Sequence, residues 1–207
     1  MPLSRRRLVT LVSALAVAGL AASGCAAQAA AVKVGDDTVS RSDFEDELDA
    51  YGASETLFPD PEAAGVTGDL PGSYGQGFVA DLLQQRIVFM LAARVFDERG
   101  LELADADRSA AADQLDSQLR GAADDFPPGL RRQLVDDLAR LTKLQQELGA
   151  EGFDEALIEA ADGTDIEVSS QYGSWDPDQY AVVPPDGPAP APGGGGGEQP
   201  EDPSAAP

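Results

Sequence analysis

Apolar and polar positions follow a period of two at the start of the chain and helical spacing after it. Val32-Lys33-Val34 and Thr38-Val39 flank the turn formers Gly35-Asp36-Asp37, a pattern that predicts a short β-hairpin. Ser40 and Ser42 offer helix N-caps, with Asp43 and Glu45 three residues on as capping partners. The helix that follows carries Phe44, Leu48 and Tyr51 on one face. Gly52 to Gly77 is rich in Pro and Gly and is expected to be a long loop. Phe78 to Arg99 has the strongest helical pattern: Leu82, Leu83, Ile87, Met90, Leu91, Val95 and Phe96 recur at three- and four-residue spacing, closed by Gly100.

Two more long helices are expected. Asp105 is placed as the cap of one carrying Ala111, Leu115 and Leu119 and ending at Gly121. Pro127-Pro128 opens the next, with leucines at 130, 134, 138, 141, 144 and 148, ending at Gly149. A short helix around Phe153, Leu157 and Ile158 precedes an extended piece, Ile166-Glu167-Val168. The fold class is therefore mainly α, a helical domain over residues 31–183 with a small β element from the N-terminal hairpin and a C-terminal strand. Some 150 residues suffice to bury roughly 70% of the unfolded surface.

Both ends read differently. Ser4-Arg5-Arg6-Arg7 is a positive segment before the apolar stretch Leu8 to Leu20, which falls short of the ~20 residues a membrane span needs. Ser23-Gly24-Cys25 after that stretch resembles the lipobox of bacterial lipoproteins, with Ala22 where an aliphatic residue is usual. The resemblance implies a signal peptide over residues 1–24, lipid attachment at Cys25 and a short tether over 25–30. The N-terminus is also similar to a twin-arginine signal, so the export route stays open. Two or three acyl chains hold a protein at a bilayer where one does so weakly. The expected location is extracytoplasmic, at the outer face of the cytoplasmic membrane of a bacterium, with the lipid anchor as the membrane contact. From Pro184 onward, eight Pro and six Gly in 24 residues leave nothing to bury, so residues 184–207 read as a disordered, acidic Pro/Gly-rich tail.

Composition narrows the chemistry. The 207 residues include no His and no Asn, so His-dependent nucleophile pairs, imidazole metal ligands and N-glycosylation are all excluded. Cys25 is the only Cys, so no intramolecular disulfide forms. Fourteen Lys and Arg against 37 Asp and Glu give a net charge of −23, which phosphate backbones repel, and nucleic acid is not an expected partner. Loss of Arg5, Arg6 and Arg7 with the signal would make the chain three charges more negative. The acidic groups Asp36-Asp37, Asp105/Asp107, Asp124-Asp125, Asp162/Asp165 and Asp176/Asp178 match no EF-hand spacing and read as solvated or capping carboxylates. Gly75-Gln76-Gly77 lacks the Lys-Ser/Thr of a phosphate loop. No enzyme, metal or cofactor is expected.

Three segments together resemble the SurA/PrsA-type chaperones. Ala31 to Phe44 is similar to the family's opening of strand, Gly-containing turn, strand and capped helix. Gly100-Leu101-Glu102-Leu103-Ala104-Asp105 resembles the next landmark, an aliphatic-x-aliphatic-x-Asp lead into a helix. Ile166 to Trp175 is similar to the closing strand, with Ser169-Ser170-Gln171 replacing the usual Asn-Pro-Arg. The resemblance implies that the closing strand pairs with the first hairpin. It also implies binding of unfolded or secreted polypeptides without ATP. Only about a dozen residues stand where many members insert a parvulin-type isomerase domain, and parvulin sites use His, so no isomerase activity is expected. Tyr51, Leu57, Phe58, Tyr74 and Phe126 are the candidate client contacts, because a binder of unfolded chains needs adaptable apolar surface. The alternative is an envelope adaptor that binds one folded partner.

Overall fold

The computed structural model describes residues 29–185; residues 1–28, with Cys25 and the expected signal peptide, and residues 186–207 lie outside the described residues. Among the described residues the chain is mainly helical, with four α-helices and two small antiparallel sheets. The hairpin forms as expected, with β1 (Ala30–Val34) and β2 (Asp37–Ser40) joined by a tight Gly35-Asp36 turn. Gly35 has a φ of 61°, which glycine adopts without strain, and a Cβ there would come within 2.8 Å of Arg94 Nη1. Ser40 is the N-cap of α1 (Arg41–Gly52): its Oγ accepts from the Asp43 N–H at 3.1 Å and donates to Asp43 Oδ2 at 2.6 Å. Ser42 lies inside the helix.

The helix α2 (Gln76–Glu98) is the centre of the molecule, with Leu83 and Ile87 fully buried. The cap of α3 (Asp105–Gln118) corrects the sequence expectation. Ala104 is the N-cap, and Asp107 takes its N–H at 2.8 Å. Asp105 therefore stands at the first helical position, where a carboxylate favours the positive end of the helix dipole. A 3₁₀ turn (Ala122–Asp125) buries Ala122 and Ala123 and leads into α4 (Pro128–Asp162). Gly149, at φ 69° and ψ 174°, breaks α4 into the two helical pieces that the leucine pattern separates.

The third strand, β3 (Ile166–Val168), returns to the other side of β1, giving the antiparallel order β2-β1-β3 with Val32 opposite both Val39 and Val168. A second hairpin, β4 (Ser174–Asp176) with β5 (Ala181–Val183), was not expected. It is fastened to α2 by Gln84, whose Nε2 donates to the Tyr180 carbonyl at 3.0 Å and whose Oε1 accepts from the Val182 N–H at 2.8 Å. The Gly52 to Gly77 segment is irregular as expected but internally bonded. Thr67 bridges Tyr74, and Val66 and Ser73 are buried. The main core joins β1, α1, α2, α3 and the first piece of α4, and Leu141 and Leu157 link it to a smaller cluster around Ala92, Val95, Leu144 and Phe153.

Candidate functional site

One face of α2 is left open by its neighbours and forms the floor of a trough. The α1 helix turns Phe44, Leu48 and Tyr51 into the core, so its opposite side, with Asp43, Asp46 and Asp49, faces outward as one wall. The α4 helix supplies the other wall through Leu130, Gln133 and Asp137, and Asp37, Thr38 and Val39 of β2 border it. The trough has two adjoining parts of about 760 and 440 Å³, and Val39, Arg86 and Gln133 line both.

At the waist lies a charged triad. Arg86 rises from α2, 3% exposed, and its Nη2 meets Oε2 of Glu47, 5% exposed, at 2.6 Å; its Nε donates to the same oxygen at 3.1 Å. Nη1 donates to Asp137 Oδ2 at 2.9 Å, and Asp137 Oδ1 accepts from Arg140 at 3.3 Å. One guanidinium thus ties both walls to the floor, in the forked geometry that suits two carboxylates. Burial raises the Glu47 carboxyl above the usual carboxylate range against the pull of Arg86. Burial raises Asp137 as well, against Arg86 and Arg140. Tyr51, buried beside Glu47, is pushed up to about 12 by burial first and by the Glu47 charge second.

The triad was missed at the level of sequence, yet it left a signal. Arg86 sits between Leu83 and Ile87, Glu47 between Phe44 and Leu48, and Asp137 between Leu134 and Leu138, all in the apolar phase of their helices. One cation and two carboxylates at core-facing positions mark a buried ion cluster.

The five aromatic and apolar candidates separate into two groups. Tyr51 and Phe126 are core residues, stacked edge to face with centroids 4.9 Å apart, and present little surface to a ligand. Leu57, Phe58 and Tyr74 are half-buried in the 53–75 segment, where Phe58 and Tyr74 gather on Phe78 at 5.6 and 5.9 Å. The Tyr74 hydroxyl donates to Asp49 at 2.6 Å, so this aromatic shelf joins the α1 wall of the trough. Cys25 lies outside the described residues.

A second concavity, about 380 Å³, lies on the opposite face of α2, between Val88, Leu91, Leu157, Ile158, Trp175 and Tyr180. Ile158 is 46% exposed there. No described helix is long and apolar enough to cross a membrane. Among the described residues, no group of three or more His, Cys, Asp or Glu side chains is placed to hold a metal ion. Compared with known protein families, curated proteins and solved structures, the chain matches none of them.

Proposed function

We propose that this protein is a lipid-anchored, extracytoplasmic chaperone-like protein built on a SurA N-terminal-type domain, holding unfolded or secreted polypeptides without ATP and without prolyl isomerase activity. The observation that carries this reading is the open trough. Its floor and walls offer the half-buried Leu130 and Met90 to apolar side chains, and its carboxylates keep a loaded complex in solution. The return of β3 to β1 agrees with the strand pairing that the family resemblance implies. The anchor rests on Cys25 and the segment before it. Loss of lipid mass on Cys25→Ser tests that part.

A mature chain carrying Cys25→Ser, titrated into an aggregation-prone client during refolding with no nucleotide present, tests the binding. Suppressed light scattering at near-stoichiometric ratios, with no binding to the native client, is the expected result. No suppression across several clients would remove the chaperone reading. The second reading, an envelope adaptor for one folded partner, is favoured by the compact apolar groove around Ile158 and Trp175. Its signature is one tight complex with a folded protein that Ile158→Asp abolishes.

A further inference from the structure

We infer that the trough takes an extended, cationic polypeptide segment, which lies along the free edge of β2 and joins it as an added strand. This rests on the reading of the trough as a polypeptide site. Three observations carry it.

The first is topological. In the order β2-β1-β3, β2 has a strand on one side only. Val34 and Asp37 close the two-residue turn, so alternation along the ladder turns the N–H and C=O of Thr38 away from β1. An edge of this kind accepts an extended chain through backbone bonds, while side-chain contacts supply the selectivity.

The second is the position of that edge. Asp37, Thr38 and Val39 are consecutive, and all three line the trough. Successive side chains of a strand point to opposite faces, so a cavity that touches three in a row runs along the strand's edge and not over one face. The free edge and the trough wall are the same surface.

The third is charge. Eight carboxylates and three guanidiniums line the two parts of the trough. The guanidiniums are all engaged: Arg86 in the triad, Arg94 with Glu98, and Arg140 with Asp137. Asp37, Asp43, Asp46 and Asp97 are exposed and form no ion pair among the described residues. The complementary partner carries Lys or Arg, with apolar side chains between them for Leu130 and Met90. Only Thr38 offers a pair of outward backbone groups. Charge and apolar contact therefore set most of the affinity, and the edge sets the direction of the bound segment.

The test uses the mature Cys25→Ser chain and three fluorescent ten-residue peptides. One alternates Arg and Val, one replaces Arg by Glu, and one keeps Arg and Val but carries N-methyl groups on alternate backbone nitrogens. The expected result is binding of the first, about tenfold weaker binding of the N-methylated peptide, and a larger loss for the Glu peptide. Slowed hydrogen exchange at the Thr38 amide should accompany binding of the first peptide. The double variant Asp46→Asn/Asp97→Asn, which touches no buried contact, should weaken the Arg peptide severalfold. Suppression of client aggregation combined with indifference to peptide charge and N-methylation would overturn this inference and leave the proposed function standing. Failure to bind any unfolded chain would overturn both.

Discussion

Arg86 Nη2 and Glu47 Oε2 lie 2.6 Å apart beneath the trough, and Asp137 completes the pairing from the opposite wall. Truncating Arg86 leaves the buried Glu47 carboxylate without a cation and Asp137 with Arg140 alone. Arg86→Ala is therefore predicted to destabilise the fold by about 3–5 kcal/mol, read as a lower urea midpoint. Replacing all three groups together, as Arg86→Met/Glu47→Leu/Asp137→Leu, should recover most of that loss, because no buried charge is left unpaired. A triple variant no better than Arg86→Ala would show that the triad does more than balance its own charges.

The same burial sets a pH dependence. Glu47 and Asp137 are held above the ordinary carboxylate range, so the folded state binds these protons more tightly than the unfolded chain does. Their contribution to stability is fully present below the unfolded carboxylate pKa and is lost as pH rises through their raised values. The melting temperature should accordingly rise between pH 8 and about pH 5, in part because acid also relieves the net negative charge. Glu47→Gln/Asp137→Asn should flatten that slope. Asp107 works in the other direction: its hydrogen bond from Lys143 lowers it, so its half-buried pair is lost only at lower pH. An unchanged slope in the double variant would remove Glu47 and Asp137 as its source.

Gly149 separates the two pieces of α4 with a backbone conformation that residues with a Cβ adopt only under strain. A Cβ there would meet no atom within 4 Å, so the cost of Gly149→Ala is conformational and not steric. A loss of about 1–3 kcal/mol is expected, seen as a lower melting temperature. A gain would mean that α4 runs through unbroken once glycine is gone.

Gln84 alone supplies both side-chain hydrogen bonds that fasten the C-terminal hairpin to α2. Gln84→Ala leaves the Val182 N–H without its acceptor, at a cost of about 1–3 kcal/mol. Trp175 is the chain's single Trp and sits in that hairpin, so its emission reports the change directly. A red shift at temperatures below global unfolding is expected, whereas emission that changes only with global unfolding would mean that apolar packing holds the hairpin unaided.

Ile166-Glu167-Val168 was legible only as an extended piece whose pairing with the hairpin was implied by the family resemblance. The helices and the N-terminal hairpin were legible from regular signals: the leucine rows of α2 and α4 repeat over several turns, and Val32 and Val34 alternate ahead of the Gly35-Asp36 turn. The β4–β5 hairpin was not, since three-residue strands on either side of Pro177 and Asp178 carry too short a period to read. Among the candidate contacts, residue type could not separate Tyr51 and Phe126, which face the core, from Phe58 and Tyr74, which ride on the loop. Proximity to a loop is a weak guide to exposure when the loop itself folds back on the helices. Arg86, Glu47 and Asp137 were readable only as charges at apolar-phase positions, and pairing them required the helices to be placed in three dimensions.

The most direct test of the central claim places a photo-crosslinker at one position at a time in the Cys-free Cys25→Ser mature chain. Gln133→Cys puts it in the trough, and Ile158→Cys puts it in the groove on the opposite face of α2. Each labelled chain is irradiated with an unfolded client and with the same client in its native form. Crosslinks at position 133 to the unfolded client alone, with little at 158, are the predicted result. Crosslinks at 158 to a native protein, with none at 133, would contradict the account and move the functional surface to the groove beside Trp175.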